Sequence, residues 1–185
     1  MREYTMIFHR VTGKGMIIMR TAAILLALAL TVTIGCSSGG SAKIPKNANM
    51  LNFTVNDVND RPIDMRQYLG KVVIVDIWDT WCGPCRMEIP HFVDLYSTYK
   101  GKGLEIVGLA LARQGKDAVK QFTTQNGLNY TSAVYNEEAQ KLFPPPAGIP
   151  TTYIIDQQGN IVEKIVGMRD KAYFEQKIKS LLKIS

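Results

Sequence analysis

Cys82 and Cys85 stand two residues apart in Trp81-Cys82-Gly83-Pro84-Cys85, and their spacing can do chemistry. The stretch before them, Val72 to Trp78, holds six apolar residues in seven, most of them β-branched, and reads as a buried strand. An apolar run on both faces suits the centre of a parallel sheet covered by helices. After Cys85 the period changes: Met87, Phe92, Leu95 and Tyr99 keep rough helical spacing, which predicts a helix from about Gly83 to Tyr99 with Pro90 inside it. Cys82 then sits where a strand hands over to a helix. The free N–H groups and positive dipole end of that helix stabilise a thiolate. Two thiols so placed can close a small disulfide and reopen it by exchange.

Two other readings of the pair compete. A zinc site needs two more ligands, and Cys36, His9 and His91 are the remaining Cys and His residues, two of them in the N-terminal leader. A purely structural disulfide seldom spans two residues at a helix start.

The motif Trp81-Cys82-Gly83-Pro84-Cys85 is identical to the thioredoxin active-site motif, and Gly148-Ile149-Pro150-Thr151 resembles that family's cis-proline segment. Cys85-Arg86-Met87-Glu88-Ile89-Pro90 and Pro150-Thr151-Thr152-Tyr153-Ile154-Ile155-Asp156, followed by Gly159, resemble the TlpA/ResA/CcmG-type thioredoxins. The resemblance covers about residues 50–184. It implies an α/β thioredoxin fold: a central mixed sheet flanked by helices, an N-terminal β-hairpin extension and a central TlpA-like insertion.

The resemblance also assigns roles. Cys82, exposed at the helix start, is the attacking nucleophile, and Cys85 is the buried resolving thiol. Gly83-Pro84 is the dipeptide of reducing thioredoxins, with Pro84 tuning the potential. Pro150 is the expected cis-proline against the cysteine pair, and the backbone of Ile149 pairs with substrate. Asp76, six residues before Cys82, stands where thioredoxin has its buried acid; TlpA-like relatives more often have Asn. The next strand, Leu104 to Leu111, has no central lysine to pair with it. An unpaired buried carboxyl should titrate high and can serve as general base. Glu88 matches the active-site glutamate of the ResA-type proteins; the competing reading is a solvated helix glutamate. Trp78 and Trp81 are expected to pack around the disulfide, with Trp81 partly exposed as a flat substrate contact. Asp79 stands where a small residue is more common, and the sequence offers no physical account of it.

The rest of the chain has to position this site. Residues 1–36 read as an export signal: Arg20 is followed by an uncharged, mostly apolar run of 13 residues, Ala22 to Ile34. Thr33-Ile34-Gly35-Cys36 resembles a bacterial lipobox, with Thr33 where the pattern prefers Leu, so Cys36 is expected to carry a lipid. An uncleaved N-terminal anchor is the rival. Met16 or Met19 would make a more compact signal start than Met1. Residues 37–49 read as a flexible tether and 50–185 as the folded domain. Within it, Leu51–Val55 is expected as an edge strand, with Arg61–Met65 returning beside it. Further on come a strand at 104–111, a helix at 116–126, a short strand at 130–135 and a short helix at 137–143. Pro144-Pro145-Pro146 reads as a stiff connector or, functionally, as a rim of the substrate groove. A hairpin of Thr151–Ile155 and Asn160–Val166 follows, and then a helix capped by Asp170 with Phe174, Ile178 and Leu181 inward.

The formal charge is +6, but residues 1–35 hold four Lys/Arg and one Glu, leaving 18 against 15 and a net +3. No Lys/Arg cluster is interleaved with aromatics, which excludes nucleic-acid binding. These observations and the resemblance together predict a lipid-anchored, monomeric, extracytoplasmic thiol–disulfide oxidoreductase. It would reduce oxidised thiols of exported proteins, apocytochrome c the leading example, with electrons from a membrane thiol donor of the DsbD/CcdA type. No metal or organic cofactor is needed; the redox group is the Cys82–Cys85 pair. A peroxiredoxin-like peroxidase shares the fold but needs Pro-x-x-x-Thr-x-x-Cys, and Thr80-Trp81-Cys82 lacks both the spacing and the proline. A redox-inert binding module would not need both cysteines.

Overall fold

The computed structural model describes residues 49–185. The leader with Cys36, and the tether apart from Asn49, lie outside the described residues. In chain order, a hairpin of β1 (Thr54–Asn56) and β2 (Pro62–Asp64) leads to β3 (Val72–Trp78) and α1 (Gly83–Tyr99). Then come β4 (Leu104–Ala110), α2 (Lys116–Gln125), β5 (Thr131–Val134) and α3 (Glu137–Leu142). β6 (Thr151–Ile155), β7 (Ile161–Val166) and α4 (Lys171–Leu182) complete the domain.

β3 is the middle strand of a five-stranded mixed sheet in the order β5-β4-β3-β6-β7. It pairs in parallel with β4, antiparallel with β6, and is buried along its whole length, as its unbroken apolar run requires. Alternation then divides the core in two. Val73, Val75 and Ile77 face a layer built from the hairpin, α3 and Phe143. Val72 and Ile74 face α1 and α4 through Phe92, Leu95, Phe174 and Ile178. α4 starts where expected, the Asp170 carboxylate accepting from the Tyr173 N–H at 2.8 Å; Leu181 is half-buried at its edge. Pro90 stands inside α1.

The N-terminal strands differ from expectation. Leu51–Phe53 is not strand: the Leu51 N–H turns back onto Asn49 Oδ1 (3.0 Å), and Met50 and Leu51 plug the end of the core. Burying two large apolar side chains outweighs continuing a solvent-edge ladder. Pairing therefore begins at Thr54, and Met65 leaves β2 for a short 3₁₀ turn capped by Asp64. The hairpin covers the edge of β5, where the Val58 N–H donates to the Ser132 carbonyl at 3.0 Å. Pro144–Pro146 forms neither helix nor strand, as a connector should.

One row across the sheet matters for the site. In register stand Ser132 on β5, Gly108 on β4, Asp76 on β3 and Thr152 on β6. Gly108 is there because the Trp78 indole occupies the space beside it: a Cβ built on Gly108 would lie 2.8 Å from Trp78 Nε1. Trp78 is fully buried and cannot yield. Gly108→Ala is therefore expected to destabilise the domain by about 1–3 kcal/mol, the usual range for overpacking. Urea unfolding of the oxidised protein checks this, and an unchanged midpoint would contradict it.

Candidate active site

The site begins with the first turn of α1. Cys82 is its N-cap, extended at φ −78°, and its sulfur accepts the Cys85 N–H at 3.2 Å. Pro84 occupies the first turn, where a missing N–H costs no helical bond. Cys82 and Cys85 are joined in a disulfide, with Cα atoms 5.3 Å apart. Beneath them lie Trp78, Ile89, Ala110 and Val119.

Across from the pair is the turn before β6. The Ile149–Pro150 bond is cis, and Cys82 Sγ lies 3.6 Å from the Ile149 carbonyl oxygen. Thr151 secures the turn by donating its hydroxyl to the Gly148 carbonyl at 2.6 Å. The expected exposure of Cys82 is corrected here: in the disulfide form it is 3 % exposed and Cys85 1 %. Packing against Ile149 on one side and Trp78 beneath buries the sulfur. Trp81 is half exposed, as expected, whereas Trp78 is the fully buried floor. Gly83 and Pro84 are exposed.

Two carboxyls lie under the helix. Asp76 is buried, and the Thr152 hydroxyl donates to its Oδ1 at 3.3 Å. Loss of solvent pushes its carboxyl well above the carboxylate range, and the neighbouring Glu88 pushes it further. Glu88 is not a solvated helix residue: it is 1 % exposed. Its Oε1 accepts the Arg169 backbone N–H at 2.8 Å, and its Oε2 has no partner within the described protein. Burial raises its pKa to about 7, against an opposing pull from that N–H and from the Arg169 charge. The sequence leaves the two readings of Glu88 level; the structure decides for burial. Its position three residues after Cys85 puts both on one face of α1.

The sequence reading misses several supporting residues. Asp79 is fully buried and organises the loop into α1. Its Oδ1 accepts the Thr80 N–H at 2.7 Å, its Oδ2 accepts the Arg113 N–H at 3.1 Å, and its carbonyl accepts the Cys82 N–H at 3.2 Å. An Asp followed by Thr after a strand is a turn signal, which could have been read. Tyr130 is silent in the sequence. Its buried hydroxyl has no protein partner, and burial with the nearby Asp76 and Glu88 charges drives its pKa well up. Among the described residues no three His, Cys, Asp or Glu side chains converge as a metal-ligand cluster.

A two-cysteine cap on a helix after the central strand, facing a cis-proline turn, defines a dithiol–disulfide exchange site on a thioredoxin fold. A family model described as the AhpC/TSA family matches residues 47–164, and the chain belongs to that family. A thiol-disulfide oxidoreductase ResA of Bacillus thuringiensis (strain Al Hakam) is 36 % identical over 132 residues, 70 % of this chain and 75 % of that protein. Its namesake in Bacillus subtilis (strain 168) is 29 % identical over 156 residues, 83 % and 87 % of the two chains. Among solved structures, a thiol:disulfide interchange protein of the thioredoxin family from Chlorobium tepidum aligns with a TM-score of 0.66 at 33 % identity. That match covers 70 % of this chain and 92 % of the other. The chain is a thiol–disulfide oxidoreductase.

The buried acids tie stability to pH. Glu88 releases its proton near 4.5 when unfolded and near 7 when folded. Between those values the unfolded chain binds fewer protons, so stability falls as pH rises, by about 3 kcal/mol once pH is above 7. Asp76 adds to the fall in the same direction. Urea unfolding of the oxidised protein should thus show a higher midpoint at pH 5 than at pH 8, with the difference much reduced in Glu88→Gln. A variant as pH-sensitive as the wild type would show that Glu88 is not the group responsible.

Proposed function

We propose that this oxidoreductase works as a reductant of disulfides in exported proteins, held at the extracytoplasmic face of a bacterial membrane by a lipid on Cys36. The observation that carries the reductant reading is the pair of buried carboxyls beneath the cysteine helix. Glu88, its pKa raised to about 7, is partly ionised at neutral pH, and negative charge beside a thiol disfavours its thiolate. A dithiol whose thiolate is disfavoured gives up electrons more readily than one whose reduced form is stabilised. The Gly83-Pro84 dipeptide, which resembles that of reducing thioredoxins, supports the same direction.

The reaction follows from the geometry. In the reduced protein, Cys82 at the helix N-terminus is the better thiolate of the two. It attacks one sulfur of a substrate disulfide; that S–S bond breaks, and the substrate keeps one thiolate. Cys85 then gives its proton to Asp76 and attacks Cys82 Sγ, releasing the second substrate thiolate. Two electrons pass to the substrate, and the Cys82–Cys85 disulfide forms. Trp81 and Pro84 supply contact surface, and the Ile149 carbonyl, 3.6 Å from Cys82 Sγ, offers a backbone partner to the incoming chain. Apocytochrome c is the leading substrate and a membrane thiol donor of the DsbD/CcdA type the leading electron source, with the domain acting as a monomer. A thiol peroxidase is less well supported: the Thr80 hydroxyl is engaged near Gln114 Oε1 (3.0 Å) and Asp79 Oδ1 (3.3 Å).

The reduced protein should reduce insulin, and Cys85→Ser should accumulate mixed disulfides through Cys82. Asp76→Asn should slow resolution of the mixed disulfide more than the first attack, by about a hundred-fold or more for loss of a general base. Stopped-flow rates across pH 6 to 9, roughly where thiols titrate, test this; wild-type resolution throughout would remove Asp76 from the role. Consumption of hydrogen peroxide without insulin reduction would instead favour the peroxidase. For the anchor, metabolic labelling with a radioactive fatty acid should mark the wild type and not Cys36→Ala. An unlabelled wild type still retained at the membrane would end the lipoprotein reading.

A further inference from the structure

The arginines of the domain divide into two sets. Arg61 and Arg66 pair with Asp57 and Asp64. Arg86, Arg113 and Arg169 form no ion pair among the described residues, and all three stand around the cysteine helix. Arg86 follows Cys85 directly, and its guanidinium lies 5.8 Å from the Phe122 ring centre. Arg113 lies 5.2 Å over Trp81, the residue before Cys82. Arg169 hydrogen-bonds Glu88 through its backbone and lies 5.9 Å over Tyr173. All three are exposed. Each rests on an aromatic face in place of a carboxylate. Stacking holds a guanidinium in place while leaving its planar edge of N–H donors for a carboxylate; of the three, Arg169 already donates one Nη1 hydrogen to the Met168 carbonyl at 2.9 Å.

Arg113 is held most firmly. The loop after β4 passes through Ala112 in the left-handed region at φ 53°, a conformation a non-glycine residue keeps only where its surroundings impose it. Here the Arg113 N–H is held by Asp79 and Gln114 lies against Thr80, so the loop is tied to the two residues that precede Trp81. Asp79 is fully buried and accepts from backbone N–H groups, so its carboxylate does not neutralise the Arg113 guanidinium. The exposed Asp60 is paired with Lys116.

We propose that Arg86, Arg113 and Arg169 form a cationic rim that selects polypeptide disulfides flanked by acidic side chains, with the Trp81–Arg113 stack as its fixed element. This rests on the oxidoreductase reading above. A carboxylate near the substrate cysteine meets an unpaired guanidinium beside Cys82. The rim then acts on encounter and orientation, where charge changes association rate most.

The test uses the reduced full-length protein and three disulfide-bonded peptides of one sequence, carrying Glu, Gln or Lys on both sides of each cysteine. Second-order reduction rates at low salt should fall in the order Glu, Gln, Lys, spanning about ten-fold, and converge as salt screens the charges. Arg113→Gln should lower the Glu-to-Gln rate ratio about two- to five-fold, the range for one exposed charge contact. Arg113→Lys should recover part of that ratio, keeping charge without the planar stack. Lys100→Gln removes the same charge beyond the far end of α1, about 25 Å along the helix from its first turn, and should leave the ratio as in wild type. Equal rates for the three peptides, or a ratio unmoved by both salt and Arg113→Gln, would overturn the rim while leaving the oxidoreductase intact. Failure to reduce even the Gln peptide would overturn the oxidoreductase reading and the rim with it.

Discussion

The structure depends on one helix start. Cys82 caps α1 with its own sulfur, so the atom that does the chemistry is also the atom that satisfies one free N–H of the first helical turn, that of Cys85. That double role fixes the position of the sulfur to within a hydrogen bond. It also explains why β3 must be so regular. Seven buried residues in register with both neighbours hold the C-terminal end of the strand, and the loop from Asp79 to Trp81 has little freedom left. The antiparallel partner β6 is aligned by the same register, and this carries Ile149 and Pro150 to the other side of Cys82.

Much of this was legible in the sequence because it rests on local chemistry. An apolar β-branched run, a change of period and two cysteines at the junction specify a strand, a helix and the cap between them. Gly-Ile-Pro-Thr marked the facing turn, and its bond is cis. The burial of Asp76 followed from its place inside an apolar strand. What was not legible depends on contacts distant in sequence. Glu88 can be inward or outward on α1 until the Arg169 N–H, 81 residues later, is seen to meet it. Asp79 makes no sense beside the cysteines until Arg113, 34 residues on, is seen to use it. Leu51 alternates as a strand residue does, and only the position of the core end shows why it turns inward instead.

The exposure expected of Cys82 fails for a related reason. A residue at a helix start is open when judged from that helix alone. Ile149 and Trp78 pack against it from outside the motif, and neither the spacing nor the residue types of Trp81 to Cys85 encode that packing. The half-exposed Trp81 is a large apolar surface next to the buried pair.

The polar row across the sheet shows what the fold gives up for this chemistry. Ser132 Oγ, Tyr130 Oη, Trp78 Nε1 and Glu88 Oε2 are buried without a protein partner, and Ser132, Gly108 and Asp76 stand side by side in register. Tyr130 and Ser132 also line a cleft that reaches Asp57 and Arg61 on the N-terminal hairpin. Each unsatisfied group costs about 1–3 kcal/mol unless water reaches it. A core selected for stability alone would fill these positions with aliphatic side chains. Two further buried polar atoms lack a protein partner among the described residues, His91 Nδ1 and Tyr153 Oη, the latter on β6 opposite Val75. In the reaction proposed above Asp76 takes up and releases a proton in each turnover, and groups able to hold water beside a buried acid would give that proton a way out. The extra hairpin shields the β5 edge of the sheet against edge pairing, and the cleft beside it is lined by Tyr130 and Ser132 of this polar group.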